Sequence, residues 1–379
     1  MLRTFDRKTR LAVVATCLLV VIYLVDSRTE VLILEDTSLP VGMRKPGRRK
    51  TYGEFVKAAG MNPRYPIGIP YVNYPDMELP TYLKYRESML TDVVNQDQCT
   101  SCWAISVCHV IADRISLYTG GRIRRPLSHQ ELVSCFNVRG DLGCTVGGIP
   151  EQAYEYIAEH GIATEEDYPY VQAGTTRIAR CDPGKKKGFR TYIQKNSTRS
   201  LCVDPSIHEK GSADWQKVVD QNIRNMRTEL FLNGPINVTV FVYSSMYEYD
   251  GLRIFDPEEK DLGAYVGGHA AVCFGMAEEV NGEEPGFDNW YWLVKNSWST
   301  SWPLKSPASK GYMYIRAGKN VCGIESRAST CQILITDEIK KNMVSSLDES
   351  RYLSYTDYVN DPQRQLYITK ATRLRSMLV

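Results

Sequence analysis

The fold is decided by the stretch Gln96-Asp97-Gln98-Cys99-Thr100-Ser101-Cys102-Trp103-Ala104, in which a polar turn runs into an apolar segment. Apolar residues then recur at four-residue spacing up to Ile115, which predicts a helix that Gly120-Gly121 ends. Cys102 falls in the first turn, where free backbone N–H groups and the helix dipole favour the nucleophilic thiolate. Judged by its position alone, Cys102 has an alternative role as a structural cysteine in a disulfide.

A cysteine nucleophile needs a base, and the chain has five histidines. His109 falls on the same predicted helix, about 10 Å along its axis, which is too far for a hydrogen bond. His269 differs because it follows Gly267-Gly268 at the mouth of an apolar strand, where another backbone or a substrate can approach closely. Asn296, with Trp298 two residues later, ends another predicted strand and offers an amide carbonyl that could orient the imidazole.

The remaining chain separates into a helical first half and a strand-rich second half. Further helical patterns cover residues 128–133, 150–160 and 214–232. After Asn233-Gly234-Pro235 the apolar residues alternate, which is typical of strands. Strands are predicted over residues 236–242, 270–274, 291–295, 312–316 and 332–336. This order predicts an α+β fold with two lobes.

The N-terminus has the pattern of a secretory signal. Residues 1–10 form a basic flank, and residues 11–25 form an uncharged apolar run. A cleaved signal peptide and an uncleaved signal-anchor that leaves the N-terminus in the cytoplasm are both compatible with this pattern. We interpret residues 26–78 as a linker or pro-like segment, residues 79–335 as the catalytic domain, and residues 336–379 as a charged C-terminal extension.

Composition narrows the function classes. Lys+Arg 46 against Asp+Glu 44 gives a formal charge of +2, so the whole chain offers no electrostatic argument for a nucleic-acid partner. Eleven cysteines are many for a cytosolic enzyme of 379 residues and indicate an oxidising compartment. We therefore expect a secretory or endolysosomal location, with membrane attachment if the N-terminal segment is retained.

In this order the motifs resemble those of the papain family of cysteine proteases, in particular its cathepsin B branch. The resemblance extends from about Leu79 to Ser326. Its pieces are Gln96, Cys99-Thr100-Ser101-Cys102-Trp103, Gly234-Pro235, Gly267-Gly268-His269-Ala270, Asn296-Ser297-Trp298 and Cys322-Gly323-Ile324-Glu325-Ser326. It implies a papain-like two-lobed fold, with a helical N-terminal lobe, a β-rich C-terminal lobe and the active-site cleft between them.

The resemblance also implies acyl transfer by covalent catalysis, with no cofactor and no metal. Cys102 would attack as a thiolate paired with protonated His269, and Asn296 would hold the imidazole in plane. Gln96 and the Cys102 backbone N–H would stabilise the oxyanion. Trp298 would shield the contact between His269 and Asn296 from water. Proteins or peptides would be the substrates.

Departures from the family pattern affect the substrate contacts. Thr100 replaces a glycine of the family motif. The loop that holds Gly147 and Gly148 carries one extra residue, so the contacts with the substrate backbone that the resemblance assigns to them do not carry over directly. Residues 171–212 contain no adjacent His-His pair, so we expect an endopeptidase and little removal of C-terminal dipeptides.

Arg327 stands where the resemblance places a pocket-floor glutamate, for the second substrate residue before the cut. Two outcomes are open. An Arg327 side chain held at the floor would favour acidic substrate residues and disfavour basic ones. A side chain turned out to solvent would leave a pocket that is simply apolar.

The cysteine pairs are also implied by resemblance. Cys99 would bond with Cys144, and Cys135 with Cys181 or Cys202, while a bond between Cys322 and Cys331 is a guess. Two glycosylation sequons occur, at Asn196 and at Asn237, and Asn196 is the better candidate because Asn237 alternates with strand core residues. The competing hypothesis for the whole chain is a catalytically impaired relative that only binds peptides in its cleft.

Overall fold

The computed structural model describes residues 20–23, 30–33, 69–75, 79, 82–136, 142–175, 177–278, 289–303 and 310–344. Within the apolar segment 11–25 it describes only Val20–Tyr23, a strand (β1) that pairs antiparallel with Glu30–Ile33 (β2). Three consecutive β-branched residues in β1 favour this extended conformation over a helix. The rest of the expected signal or anchor segment lies outside the described residues.

The first lobe is helical, as predicted. Its helices are α1 (Cys102–Tyr118), α2 (His129–Cys135), α3 (Leu142–Thr145) and α4 (Pro150–His160). Ser128 caps α2 by accepting the Glu131 backbone N–H at 3.0 Å, and Gly161 ends α4 with a φ of 68°. A two-stranded ribbon of β4 (Ile162–Ala163) and β5 (Arg190–Thr191) borders this lobe.

Helix α1 is buried on all sides from Cys102 to Leu117. One face packs in the helical-lobe core, and the helix also contacts strands of the second lobe. A helix that is buried all round lies between layers and is not a surface element. The fold therefore fixes the start of α1, which carries Cys102, at the junction of the two lobes.

The second lobe is built on an antiparallel sheet. Its strands are β3 (Tyr82–Lys84), β6 (Arg199–Ser200), β7 (Ile236–Tyr243), β8 (Tyr265–Glu278), β9 (Trp290–Lys295), β10 (Tyr312–Arg316) and β11 (Ala328–Thr330). The order is β10-β9-β8-β7-β11-β6, with β3 paired to β8. Helix α5 (Ala213–Asn233), closed by Gly234, packs its apolar face into this lobe's core, and a short helix α6 (Ser244–Tyr247) follows β7.

The predicted strand over residues 332–336 is wrong. The last strand of the sheet is β11, which pairs with β7 through Ala328 and Val238. After it the chain leaves the sheet for the helical lobe, where Cys331 and Ile333 are buried in that lobe's core. A short helix α7 (Asp337–Asn342) then packs Ile339 into the same core.

Residues 69–75 lie on the second lobe, ahead of β3. Val72 donates its backbone N–H to the Ser200 carbonyl, and the Ser200 N–H donates to the Pro70 carbonyl, both at 2.9 Å. The Tyr74 N–H donates to Asn225 Oδ1 on α5 at 3.0 Å, and the Tyr74 hydroxyl donates to Glu229. This segment therefore adds an extended piece beside β6 and covers polar groups of α5.

Candidate active site

Cys102 begins α1 and lies against β8. Its side chain is 9% exposed, and backbone N–H groups of Ala270, Trp103 and Cys102 itself reach its sulfur. Burial raises the pKa of the Cys102 thiol, while these three N–H groups act in the opposite direction. Since Ala270 follows His269 directly, the helix start and the histidine strand meet at this sulfur.

His269 lies inside β8, further along the strand than the sequence predicted. Gly268 and Gly267 pair with Phe241 and Val242 of β7, so the ladder begins before the histidine. Nε2 of His269 lies 2.7 Å from Asn296 Oδ1. Because Asn296 Oδ1 can only accept, Nε2 carries the proton and Nδ1 remains as the basic nitrogen of the neutral ring.

The register between β8 and β9 places the Trp298 ring beside His269. Val272 pairs with Lys295, so the chain after Lys295 continues antiparallel to the residues that precede Val272. The Trp298 ring lies 4.9 Å from the His269 ring, and the Tyr247 ring lies 5.1 Å from the Trp298 ring. These aromatic rings help to bury the histidine, and burial lowers the pKa of His269 to about 4.

Gln96 connects the loop that precedes α1 with the segment that follows β9. Its backbone N–H donates to the Ser297 carbonyl at 2.9 Å, beside an isolated bridge between Asn95 and Trp298. Its side-chain Oε1 accepts the Ser297 hydroxyl at 2.7 Å, and its Nε2 donates to the Cys99 carbonyl at 3.2 Å. Ser297, which we did not single out from the sequence, therefore fixes the orientation of the Gln96 amide.

Gly147 and Gly148 lie close to the cysteine loop. Gly147 has a φ of 93°, in the region that favours glycine. A Cβ on Gly148 would lie 2.5 Å from the Trp103 ring, so a side chain cannot fit there. The Thr100 N–H donates to the Cys144 carbonyl at 2.8 Å, which ties the two loops together in spite of the departures that we noted at these positions.

Arg327 is not turned out to solvent. Its side chain is 19% exposed, and its Nε lies 3.5 Å from Oε1 of Glu151 on α4. Burial lowers the pKa of Arg327 to about 9 and raises the pKa of Glu151 to about 7. Since Glu151 comes three residues after Gly148, this pair lies where the helical lobe meets the strand-rich lobe.

Among the cysteines that the structure describes, two disulfides form, Cys99–Cys144 and Cys135–Cys181. Of the two partners considered for Cys135, the structure pairs it with Cys181. The expected bond between Cys322 and Cys331 does not form, because Cys322 is buried in the core of the strand-rich lobe and Cys331 in that of the helical lobe.

The two sequons differ in accessibility. Asn196 is exposed in a turn with a φ of 57°. Asn237 is 1% exposed and donates to the Ser106 hydroxyl at 2.7 Å, so a glycan cannot be attached there in the folded state.

Neither a metal site nor a membrane helix is evident in the described part of the chain. No group of three or more His, Cys, Asp or Glu side chains in those ranges is arranged to hold a metal ion. None of the helices in those ranges is both long and apolar enough to cross a membrane.

Two further residues behind the site were missed by sequence reasoning. Tyr170 donates its hydroxyl to the Gln96 carbonyl at 2.8 Å, and Asp97 accepts the Gly174 N–H at 2.7 Å. Tyr170 is 74 positions from Gln96 and carries no local signal of this contact. Asp97 stands inside the quoted stretch, but only its φ of 53° reveals an unusual backbone.

Comparison with known proteins agrees with this geometry. The profile of the papain family cysteine proteases matches residues 79–332. Cathepsin B-like cysteine proteinase 5 of Caenorhabditis elegans is 30% identical, over 63% of this chain and 69% of that protein. The gut-specific cysteine proteinase of the same organism is also 30% identical, over 61% of this chain and 65% of that protein. The chain therefore spans about two thirds of the length of these relatives.

A solved structure supports the fold. ProCathepsin B S9 from Trypanosoma congolense superposes with a TM-score of 0.52 at 24% identity, covering 70% of this chain and 83% of that one. The residues that the family profile matches extend from before β3 to after β11 and so include both lobes. The chain belongs to the papain family of cysteine proteases.

Proposed function

We propose that this chain is an active endopeptidase in which Cys102 is the nucleophile and His269 is the general base and acid. The observation that supports this most is the 2.7 Å contact between His269 Nε2 and Asn296 Oδ1. It leaves Nδ1 as the basic nitrogen, in a strand whose next residue, Ala270, contacts the cysteine sulfur. An imidazole with a basic nitrogen can take the proton of a cysteine thiol and so produce the nucleophilic thiolate.

The reaction has two halves. Nδ1 takes the proton of Cys102, and the sulfur attacks the scissile carbonyl carbon, so that a C–S bond forms and the carbonyl oxygen becomes an oxyanion. Collapse of this intermediate breaks the C–N bond, and His269 gives the proton to the leaving amine. His269 then deprotonates a water molecule, which attacks the acyl-enzyme and releases the acid and the free thiol.

Opposing effects act on the charge of the pair before substrate binds. Burial raises the pKa of the Cys102 thiol and lowers that of His269 to about 4. The helix N-terminus and the backbone N–H groups at the sulfur favour the thiolate. Transfer of the proton from sulfur to Nδ1 gives the thiolate and imidazolium that the family resemblance implies, and we propose this pair as the attacking form.

The oxyanion would be bound by Gln96 and by the Cys102 backbone N–H. The Gln96 Nε2 has two N–H groups, and one of them donates to the Cys99 carbonyl. The other is the group that we assign to the oxyanion. Fixed donors of this kind stabilise the charge that develops in the transition state.

A covalent label distinguishes this proposal from the impaired relative. The purified protein is treated with an epoxide-type thiol inhibitor, and the modified residue is located by peptide mapping. Modification of Cys102 with parallel loss of peptide hydrolysis is expected. A protein that binds peptides in its cleft but neither reacts at Cys102 nor cleaves them would be the impaired form.

Endopeptidase activity is supported by the loop that would carry a carboxylate-binding pair. Residues 171–212 contain one histidine, His208, and no adjacent pair. Mass spectra of a digested unstructured protein should contain internal fragments. Sequential loss of C-terminal dipeptides as the main product would contradict this assignment.

We further propose that Arg327 and Glu151 set the preference for the second residue before the cut. The 3.5 Å pair places a cation and a carboxyl together where the lobes meet. Because burial raises the pKa of Glu151 to about 7, its carboxyl takes up a proton as the pH falls, and its ion pair with Arg327 then weakens. Acidic substrate side chains should therefore be accepted better at pH 5 than at pH 8.

A fluorogenic library varied at that substrate position and read at both pH values tests this. A gain of about tenfold for Glu over Arg at pH 5, shrinking at pH 8, is expected. Best cleavage with Arg at both pH values would reject it. Arg327→Gln should remove the pH dependence of the preference.

The two disulfides support folding in an oxidising compartment, and we propose the secretory or endolysosomal lumen. Retention of the 11–25 segment as a membrane anchor stays a prediction from the sequence. Glycosylation of Asn196 fits its exposed turn. Digestion with a glycosidase, followed by mass measurement of the native and the Asn196→Gln protein, tests both the compartment and the site.

A further inference from the structure

The loop before α1 is held from behind by side chains outside it. Residues 96–101, here called the oxyanion loop, contain Gln96 and lead into Cys102. Asp97 has a φ of 53°, a left-handed conformation that is strained for most residues but tolerated by Asp and Asn. Its backbone N–H donates to Asn95 Oδ1 at 3.1 Å, and its Oδ2 accepts the Gly174 N–H at 2.7 Å.

Tyr170 makes a second attachment to the same loop. Its hydroxyl donates to the Gln96 carbonyl at 2.8 Å. The Ser101 hydroxyl lies 3.3 Å from the Tyr170 hydroxyl oxygen. Ser101 is the donor in this contact, because the Tyr170 proton is already donated to the Gln96 carbonyl. One hydroxyl therefore joins the first residue of the oxyanion loop to the residue that precedes Cys102.

The segment that supplies these contacts is itself anchored. Residues 165–174 are fixed to α2, because the Val171 N–H donates to Gln130 Oε1 at 2.9 Å and the Tyr170 ring lies 4.4 Å from the His129 ring. The Tyr170 N–H also donates to Glu165 Oε1 at 2.7 Å. The attachments thus connect the oxyanion loop to a helix of the first lobe.

We propose that Asp97 and Tyr170 are positioning residues that hold the Gln96 amide and the Cys102 backbone N–H at the separation that the oxyanion requires. This inference rests on the proposed function, since it assumes that Gln96 is an oxyanion donor. Ser297 fixes the side chain of Gln96, while Tyr170 fixes its main chain and Asp97 fixes the turn that follows. A donor displaced by a fraction of an ångström loses much of its effect on the transition state but little of its effect on substrate binding.

The substitution Asp97→Gly tests whether Asp97 affects catalysis independently of the stability of the fold. Asp97→Gly suits the left-handed backbone and removes the hydrogen bond to Gly174 and the carboxylate charge near Tyr170, so it should change the melting temperature little. Asp97→Asn keeps a side-chain acceptor and should retain activity. Tyr170→Phe removes the hydroxyl alone. Its matched control is Tyr168→Phe in the same segment, whose hydroxyl accepts from the Asp182 N–H at 3.0 Å and does not contact the oxyanion loop.

We expect Asp97→Gly and Tyr170→Phe to lower kcat on an internally quenched peptide by about 5- to 30-fold, with KM changed less than twofold. A peptide aldehyde, whose adduct with Cys102 places an oxygen in the oxyanion site, should bind more weakly by a similar factor. The alkylation rate of Cys102 by iodoacetamide, which forms no oxyanion, should be unchanged. Asp97→Asn and Tyr168→Phe should behave like the unsubstituted protein.

Three results would overturn the inference: an unchanged kcat in both variants, an equal loss in alkylation rate, or an Asp97→Asn variant as impaired as Asp97→Gly. Gln96→Ala shows whether a negative result rejects only the positioning role or also the oxyanion assignment. If Gln96→Ala is impaired and the other variants are not, only the positioning role is rejected. If Gln96→Ala retains full activity, the oxyanion assignment in the proposed function is rejected as well.

Discussion

The two walls of the cleft hold their reactive groups by different means. His269 lies in a strand whose backbone pairs with β7, and the chain that follows β9 brings Asn296 and Trp298 beside it. Gln96 and Cys102 are held by a loop and a helix start, through a disulfide at Cys99 and contacts of individual side chains. The sheet wall is therefore set mainly by backbone pairing, and the loop wall mainly by side chains, so single substitutions should disturb the loop wall more widely.

The largest effect is expected at the loop wall itself. Cys102→Ser should lower peptide hydrolysis by about 10⁴-fold or more, because a serine hydroxyl ionises far less readily than a cysteine thiol and is a much weaker nucleophile here. The variant should keep its circular dichroism spectrum and thermal transition. Normal turnover by a folded serine variant would show that another group performs the attack.

On the sheet wall, His269→Ala should reduce kcat/KM by about 10³- to 10⁴-fold. His109→Ala is the matched control, because His109 is buried on α1 but lies about 10 Å along the helix axis from Cys102. We expect the control to change the melting temperature and to leave at least a third of the activity. The reverse ranking of the two variants would reject the base assignment.

Gln96→Ala tests the group that joins the walls. Loss of one oxyanion donor should lower kcat by about 10²- to 10³-fold with a small change in KM. Ser297→Ala, which frees the Gln96 side chain without removing it, should be milder. Equal and full activity of both would mean that the oxyanion is stabilised by backbone groups alone.

The smallest effect concerns the Glu151–Arg327 pair. It is measured as the change in the free energy of unfolding with pH. The pKa of Glu151 is raised from 4.5 to about 7, so the folded state holds a proton that the unfolded state loses between these values. Its contribution therefore falls as pH rises from 4.5 through 7. In Glu151→Gln the difference in unfolding free energy between pH 5 and pH 8 should shrink by about 1–3 kcal/mol. Chemical denaturation at the two pH values measures it, and a larger difference in the variant would contradict the raised pKa.

How far the sequence predicts this molecule depends on which wall is considered. Helix α1 and strands β7 to β10 were predicted from their apolar residues, although α1 is buried on all sides and β9 is buried at every position. His269 and Asn296 could be placed together because the glycines and the strand ends mark them locally. The fold class and the family membership were predicted correctly from these elements.

The contacts behind the loop wall could not be predicted, because they join distant segments. Nothing near Tyr170 in the sequence indicates the Gln96 carbonyl, and nothing near Glu151 indicates Arg327. The strand expected over residues 332–336 failed for a similar reason: an apolar run does not reveal which lobe buries it. Ile333 is buried in the helical lobe, so its apolar character gave no information about the sheet.

The extended segment at residues 69–75 bears on where the folded unit begins. A cut between residues 75 and 82 would convert this segment from part of the chain into a short bound peptide, held by its hydrogen bonds to Ser200, Asn225 and Glu229. While the chain is intact, the tether supplies a high effective concentration, which a cut would remove. Dilution would then release the peptide and leave the carboxylate of Glu229, which is paired with Arg114 at 2.8 Å, open to water on that side. A cut before residue 69 would leave the segment attached and Glu229 covered.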